Sequence, residues 1–347
     1  MNDWKEFLSR FDFPLPEDRI ALFPPEERSA ARLLIVDRKT GSLSDGVVKD
    51  FPGFMEKEDL VIFNETKVSR RRLFLRRKSG ASIEALMLAE RDGTWESLVR
   101  GATKLRQGER LDGPEGLEFE FIRSKEKTCL KPLRENKAAW RSLAEAEEYF
   151  EKNGEVPIPP YLKRKSGEID ETRYQTIYAR ETGSVAAPTA GFHFSHEMMK
   201  SVEAKANVCN VELRIGYGTF APLAEENFQE KKLHTETYRI SPSSADQLNA
   251  CLGRRIAIGT TSLRACESNF REFSAFTSGT YTTDLFLFPP DTIQSIDILL
   301  TNFHLPASSL FLLVCALGGS ELMIKAYRHA IEMKYRFYSY GDAMLIL

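Results

Sequence analysis

Paired cysteines are absent. The five cysteines, Cys129, Cys209, Cys251, Cys266 and Cys315, are scattered with no CxxC spacing. That argues against a structural zinc site and for a reducing cytosol, so a cytoplasmic location is expected. Long apolar runs are also lacking. The longest, Leu310 to Leu317, is far too short to span a bilayer, and the opening "MNDWKEFLSR" holds no signal-peptide core. Excess charge of either sign is missing. The net charge is −2, so a nucleic-acid partner would need a local basic surface. There is no internal repeat and no low-complexity linker. No G-x-G-x-x-G follows a strand, and neither G-x-x-x-x-G-K-[ST] nor G-x-S-x-G occurs. A dinucleotide fold, a P-loop and a nucleophile elbow are therefore unsupported.

What is present reads as an ordinary globular protein: 347 residues, 42% hydrophobic and 28% charged, enough for two domains or one large one. From Arg72 to about Lys131, short β-like runs alternate with turns at Lys78-Ser79-Gly80, Asp92-Gly93 and Asp112-Gly113. Such spacing suggests a small antiparallel barrel or sandwich. "AAWRSLAEAEEYFEKNG" follows as an amphipathic helix ending at Gly154. Elsewhere strands alternate with helices. "RIAIG" precedes the helical "TTSLRACESNF", and "SIDILL" precedes "TNFHLPASS" and one long helical stretch beginning "LFLLVCALGG". "ARLLIVDRKTG" and "DLVIFNETKV" are strand-like as well. The expected fold is an α/β domain with a mixed sheet plus an inserted small antiparallel β-barrel domain. The α/β domain spans 1–66 and 152–347 and carries most site motifs; the insert spans 67–151.

Three polar clusters directly follow strands, where ligands gather in open α/β sheets. In "GTTSLR", Thr260, Thr261 and Ser262 open a helix whose free N–H groups favour an anion, and Arg264 could add a fork. The simpler reading makes one hydroxyl an N-cap. In "TNFHLP", Asn302 and His304 leave a buried-looking strand, either as an Asx-turn with a satisfied ring or as site groups. In "GSVAAPTAGFHF", small residues including Thr189 let backbone approach a ligand, and Phe192 and Phe194 would flank His193 with aromatic faces. His193 and His196 straddle a strand–helix junction, with Ser195 as N-cap, so no metal site is expected. "HTETY" adds His234 and Glu236, a general-base dyad or a surface ladder. Two basic runs, with Arg70, Arg71 and Arg72 in one and Lys163 and Arg164 in the other, are solvated faces or one surface for a polyanion.

Taken together, these segments resemble the S-adenosylmethionine:tRNA ribosyltransferase-isomerases of queuosine biosynthesis. The likeness runs from "FDFPLPEDRIA" and "RLLIVDRKTG" through "IFNETKV", "IPPYLKR", "RYQTIYA" and "GSVAAPTAGFHF". It continues with "GYGTF", "HTETY", "GTTSLRACES", "TDLFLFP" and "LLTNFHLPASSL" to "YRFYSYGDAMLIL". Three departures stand out. The family usually has Asp-Thr-Arg where this chain has Glu65-Thr66-Lys67, alanine where Tyr217 stands and glycine where Pro290 stands. The resemblance implies a donor, S-adenosylmethionine, that gives up its ribosyl part. The acceptor is the aminomethyl group of 7-aminomethyl-7-deazaguanine in a tRNA anticodon. The products are epoxyqueuosine-tRNA, adenine and methionine, with no metal or other cofactor. A monomer, with no membrane partner, is expected.

That chemistry needs a base beside a sulfonium, and His193 is the first choice by residue type, ahead of His304 and His234. Arg264 with Thr260, Thr261 and Ser262 could hold the methionine carboxylate, and Asp284 the ribose or acceptor amine. The rivals are an S-adenosylmethionine-dependent RNA methyltransferase and a non-catalytic tRNA-binding protein.

Overall fold

In a computed structural model, residues 4–124, 127–220 and 222–347 are described. The chain divides into two compact units. The first comprises Met1–Lys67, Arg173–Glu181 and Ala187–Leu347; the second comprises Val68–Thr172 and Thr182–Ala186. In chain order, the first unit opens with β1 (Arg32–Asp37), β2 (Ser42–Val47) and β3 (Leu60–Asn64). β3 is buried at every position, as expected of a strand covered on both faces.

The second unit is built from β4 (Arg72–Arg76), β5 (Ser82–Arg91), β6 (Thr94–Val99), β7 (Arg110–Asp112), β8 (Glu118–Arg123) and β9 (Thr128–Arg134). Their order, β9-β6-β5-β4-β7-β8, closes on itself because β8 also pairs with β9. Alternate residues such as Leu73, Leu75, Phe119 and Phe121 fill the interior, together with Trp95. The amphipathic helix α1 (Leu143–Asn153) packs Ala146, Tyr149 and Phe150 into the same core. Ser142 caps it by accepting from the Glu145 N–H at 3.3 Å.

The first unit resumes with helix α2 (His196–Glu203) and β10 (Asn207–Leu213), then β11 (Lys232–Ile240) and β12 (Arg255–Ile258). Next come α3 (Thr260–Phe273), β13 (Gly279–Leu285), β14 (Ile298–Asn302), α4 (Ser309–Gly318), α5 (Ser320–Glu332) and β15 (Ala343–Ile346). The nine-stranded sheet runs β13-β11-β10-β3-β12-β14-β15-β1-β2. Its centre, β10-β3-β12-β14, is parallel, and β11 and β15 flank it antiparallel. The sheet is therefore mixed.

The stretch read as one long helix is two, broken where Gly319 takes φ 82°, a conformation that glycine adopts freely. α4 is apolar because most of it is core. Among the described residues, no single helix is long and apolar enough to cross a membrane.

Candidate functional site at the carboxyl edge of the parallel strands

The four central strands end at one edge of the sheet, and their register shows what stands there. Asn64 pairs with Val211, Ile62 with Ala257, and Ile258 with Leu300. Val61, Phe63, Ile256, Ile258, Ile298 and Leu300 share one apolar core, and Val208 packs against it. Side chains alternate across a strand, so two residues further on the same face turns polar. Glu65 follows β3, Glu212 lies on β10 and Asn302 on β14, while Thr260 comes at the same count where α3 begins.

A 3₁₀ turn at Thr189–His193 sits over this edge. The small residues of "GSVAAPTAGFHF" serve close approach. A Cβ added at Gly191 would collide with the Tyr178 hydroxyl, and one at Gly259 would lie 3.5 Å from the Ala190 Cβ. Thr189 Oγ1 donates to Asn302 Oδ1 at 3.2 Å. Asn302 Nδ2 donates to the Tyr338 carbonyl at 3.2 Å and faces His193 Nε2 at 3.3 Å. These partners fix the amide's orientation, so His193 Nε2 accepts and its proton sits on Nδ1. The ring is 2% exposed. Burial pushes its pKa down to about 4, helped by the Arg336 charge and opposed by a hydrogen bond with the Arg28 backbone.

The other two histidines stand apart from this group. The Tyr327 hydroxyl accepts from the His304 N–H at 3.1 Å and faces Nδ1 at 3.3 Å, while Thr301 Oγ1 faces Nε2 at 3.3 Å. Burial drives the His304 pKa down to about 3. His234 is exposed on β11, where the register with β13 shifts between Lys232 and Glu236. Glu236 does not pair with it. The Glu236 carboxylate instead accepts from the Gly216 N–H at 2.8 Å and binds Arg264. A Cβ at Gly218 would collide with the His234 ring, so the "GYGTF" backbone at Gly218 lies directly on that ring.

Several expected roles change. Arg264 was expected to offer a fork to a carboxylate. Its guanidinium holds Glu236, the Leu285 carbonyl at 3.1 Å and the His234 carbonyl at 3.4 Å, so all its arms are spent inside the fold. The hydroxyls of Thr260–Ser262 do not cap α3. Gly259 occupies the N-cap with no side-chain cap, Ser262 Oγ donates to the Ile258 carbonyl at 2.8 Å, and the buried Thr261 Oγ1 has no partner among the described residues. Phe194 offers no face to a ligand: it is fully buried, edge-on to Phe51 and Phe63. Phe192 is 6% exposed and packs on Tyr174 and Tyr340. Asp284 pairs with Lys232 at 2.9 Å on an exposed strand pair.

The basic runs are corrected as well. Arg71 is 5% exposed, donating to Glu147 and to the Leu88 carbonyl. Arg70 ties the Gly154 carbonyl to Glu171, and Arg72 binds the Ile158 carbonyl and Glu84. Arg164 grips the fully buried Asp170 with two bonds of 2.6 and 2.7 Å. Four of the five residues expected to form a tRNA surface are thus internal ties of the second unit. Lys163 takes a left-handed φ of 50° at a turn.

Sequence reasoning treated Glu65 only as a departure from a family pattern. The signal was available, because Glu65 directly follows a strand just as the three chosen clusters do. Among the described residues, no group of three or more His, Cys, Asp or Glu could hold a metal ion.

A mixed α/β unit with polar groups along the carboxyl edge of its parallel strands, joined to a closed six-stranded barrel, defines the class: a two-unit protein with its candidate site in the discontinuous α/β unit. The family model described as Queuosine biosynthesis protein matches residues 8–346, so the chain belongs to that family. Relatives named S-adenosylmethionine:tRNA ribosyltransferase-isomerase share this length. The protein from Solibacter usitatus is 41% identical over 98% of this chain and 99% of its own. Those from Treponema denticola and Syntrophomonas wolfei are 40% and 38% identical, over 97% and 98% of this chain and 99% and 97% of theirs. The crystal structure of S-adenosylmethionine tRNA ribosyltransferase from Thermotoga maritima covers 97% of this chain and 100% of its own, at 29% identity and a TM-score of 0.55.

Proposed function

We propose that this chain transfers and isomerises the ribosyl moiety of S-adenosylmethionine onto 7-aminomethyl-7-deazaguanine in a tRNA anticodon. The products are epoxyqueuosine-tRNA, adenine and methionine. The observation that carries this reading is likeness over almost the whole chain to enzymes named for that activity. S-adenosylmethionine is a co-substrate, and no metal or further cofactor takes part. The protein works as a cytoplasmic monomer. The discontinuous α/β domain carries the chemistry, with the barrel insert as a separate domain.

Within the site, Thr189, Asn302 and His193 form one hydrogen-bonded group at the edge where the donor binds. Because His193 is neutral with both nitrogens engaged, its role is to present a fixed polar wall to the substrate. The free N–H groups opening α3, with Thr260, Thr261 and Ser262, face the anionic end of the donor. Arg264 acts indirectly, by holding Glu236 and the strands beside the "GYGTF" turn.

Incubation with S-adenosylmethionine and aminomethyl-deazaguanine tRNA, followed by mass analysis, tests the reading. It predicts adenine, methionine and epoxyqueuosine-tRNA. S-adenosylhomocysteine would instead establish a methyltransferase. Salt-dependent tRNA binding without donor turnover would leave a non-catalytic binder.

A further inference from the structure

Glu65 stands at the carboxyl end of β3, between β10 and β12 in the parallel centre of the sheet. Its backbone is held on both sides. Its N–H donates to the Val211 carbonyl at 3.0 Å, and its carbonyl accepts from the Arg180 N–H at 2.8 Å. Its carboxyl, by contrast, makes no hydrogen bond or ion pair among the described residues.

The surrounding charges explain why it is left over. Four charged groups act on it: Arg180, Arg239, Glu181 and Glu212. Arg239 is drawn to Glu212 at 3.1 Å and Glu181 at 2.9 Å, and Arg214 holds Glu212 at 2.6 Å. Two of the three carboxylates are therefore paired, and Glu65 is not. Partial burial raises its pKa above the ordinary carboxylate value, reinforced by the Glu181 and Glu212 charges and opposed by Arg180 and Arg239. An unpaired, half-buried carboxylate on a rigid backbone is what proton transfer requires. The histidines fit less well: the rings of His193 and His304 have both nitrogens engaged.

We propose that Glu65 is the base that removes a proton from the donor carbon joining sulfur to the ribosyl ring. The proposal rests on the ribosyl-transfer reading. In the step, the C–H bond breaks and the proton goes to a Glu65 oxygen. The electron pair stays on carbon beside the positive sulfur, as an ylide. Charge balances, because carboxylate and sulfonium become a neutral acid and a neutral ylide.

The test is Glu65→Gln, which keeps size and polarity but takes up no proton. Turnover should fall by roughly 10²–10⁴-fold, with donor binding by calorimetry within about threefold of wild type. In D₂O with acceptor tRNA, wild-type protein should exchange deuterium into recovered donor and the Gln variant should not. For wild type, kcat/KM should rise with pH as Glu65 ionises, and the Gln variant should lose that acid limb. Glu65→Asp, which keeps the carboxylate, should retain measurable exchange and the limb; it carries the test if the Gln variant does not fold. A Gln variant with wild-type turnover, or an Asp variant that folds and binds donor yet shows no exchange, overturns the assignment of the base alone. Wild-type protein that releases no adenine overturns the ribosyl-transfer reading and this inference with it.

Discussion

His193 couples the site to stability. Its folded-state pKa lies near 4 against an ordinary 6.5. Between those values the unfolded chain takes up a proton that the folded chain refuses. Stability is therefore complete above about pH 6.5 and is lost as pH falls toward 4. The full shift is worth roughly 3 kcal/mol. His193→Gln, which removes the titration and puts a polar amide in place of the ring, should flatten the fall in urea midpoint between pH 7 and 4.5. An unchanged slope would show that the ring does not titrate as its burial demands. At this scale the sequence was half legible. Thr189, His193 and Asn302 were each recognised, because polar residues after strands are a physical signal. Their mutual hydrogen bonds were not, since they join positions more than a hundred apart. Phe194 was misread because nothing local says that a loop of small residues dips into the core.

At the scale of elements, alternation of strands and helices was readable from apolar runs and turn residues, as in "RIAIG" followed by α3. What stayed hidden was who pairs with whom. Arg264 sits one turn into α3, where an anion-binding fork is reasonable, yet Glu236 arrives from β11 and takes it. The pair is buried, so breaking it leaves an uncompensated carboxylate. Arg264→Lys keeps the charge but loses the planar fork that spans Glu236, Leu285 and His234. It should lower unfolding free energy by about 1–3 kcal/mol, measured by denaturant titration. Donor affinity should change less than stability. A variant with wild-type stability and weakened donor binding would return Arg264 to the binding site. The helix break at Gly319 had a local sign, the Gly318-Gly319 pair, which a reading based on apolar continuity passed over.

For the whole molecule, an α/β part with a barrel insert was legible because the two compositions differ. The barrel's closure was not, because β6 meets β9 and β4 meets β7 only through distant segments. The charged runs mislead at this scale too. Arg71 and Arg164 look like a polyanion surface in one dimension and are ion-paired ties in three. Arg71→Ala should destabilise the second unit by about 3–5 kcal/mol, the usual result of leaving a buried partner unpaired. In the protein that remains folded, the salt dependence of tRNA binding should match wild type. A flattened salt slope with no loss of stability would mean that Arg71 contacts phosphate.

The central claim is that the donor gives up its ribosyl group rather than its methyl, and one measurement addresses it most directly. Donor labelled in the ribose is incubated with aminomethyl-deazaguanine tRNA and the purified protein, and the tRNA and small molecules are weighed by mass spectrometry. Label in the tRNA, with adenine and methionine released in equal amounts, is the predicted result. Unlabelled tRNA heavier by one methyl group, with S-adenosylhomocysteine as the coproduct, would contradict it.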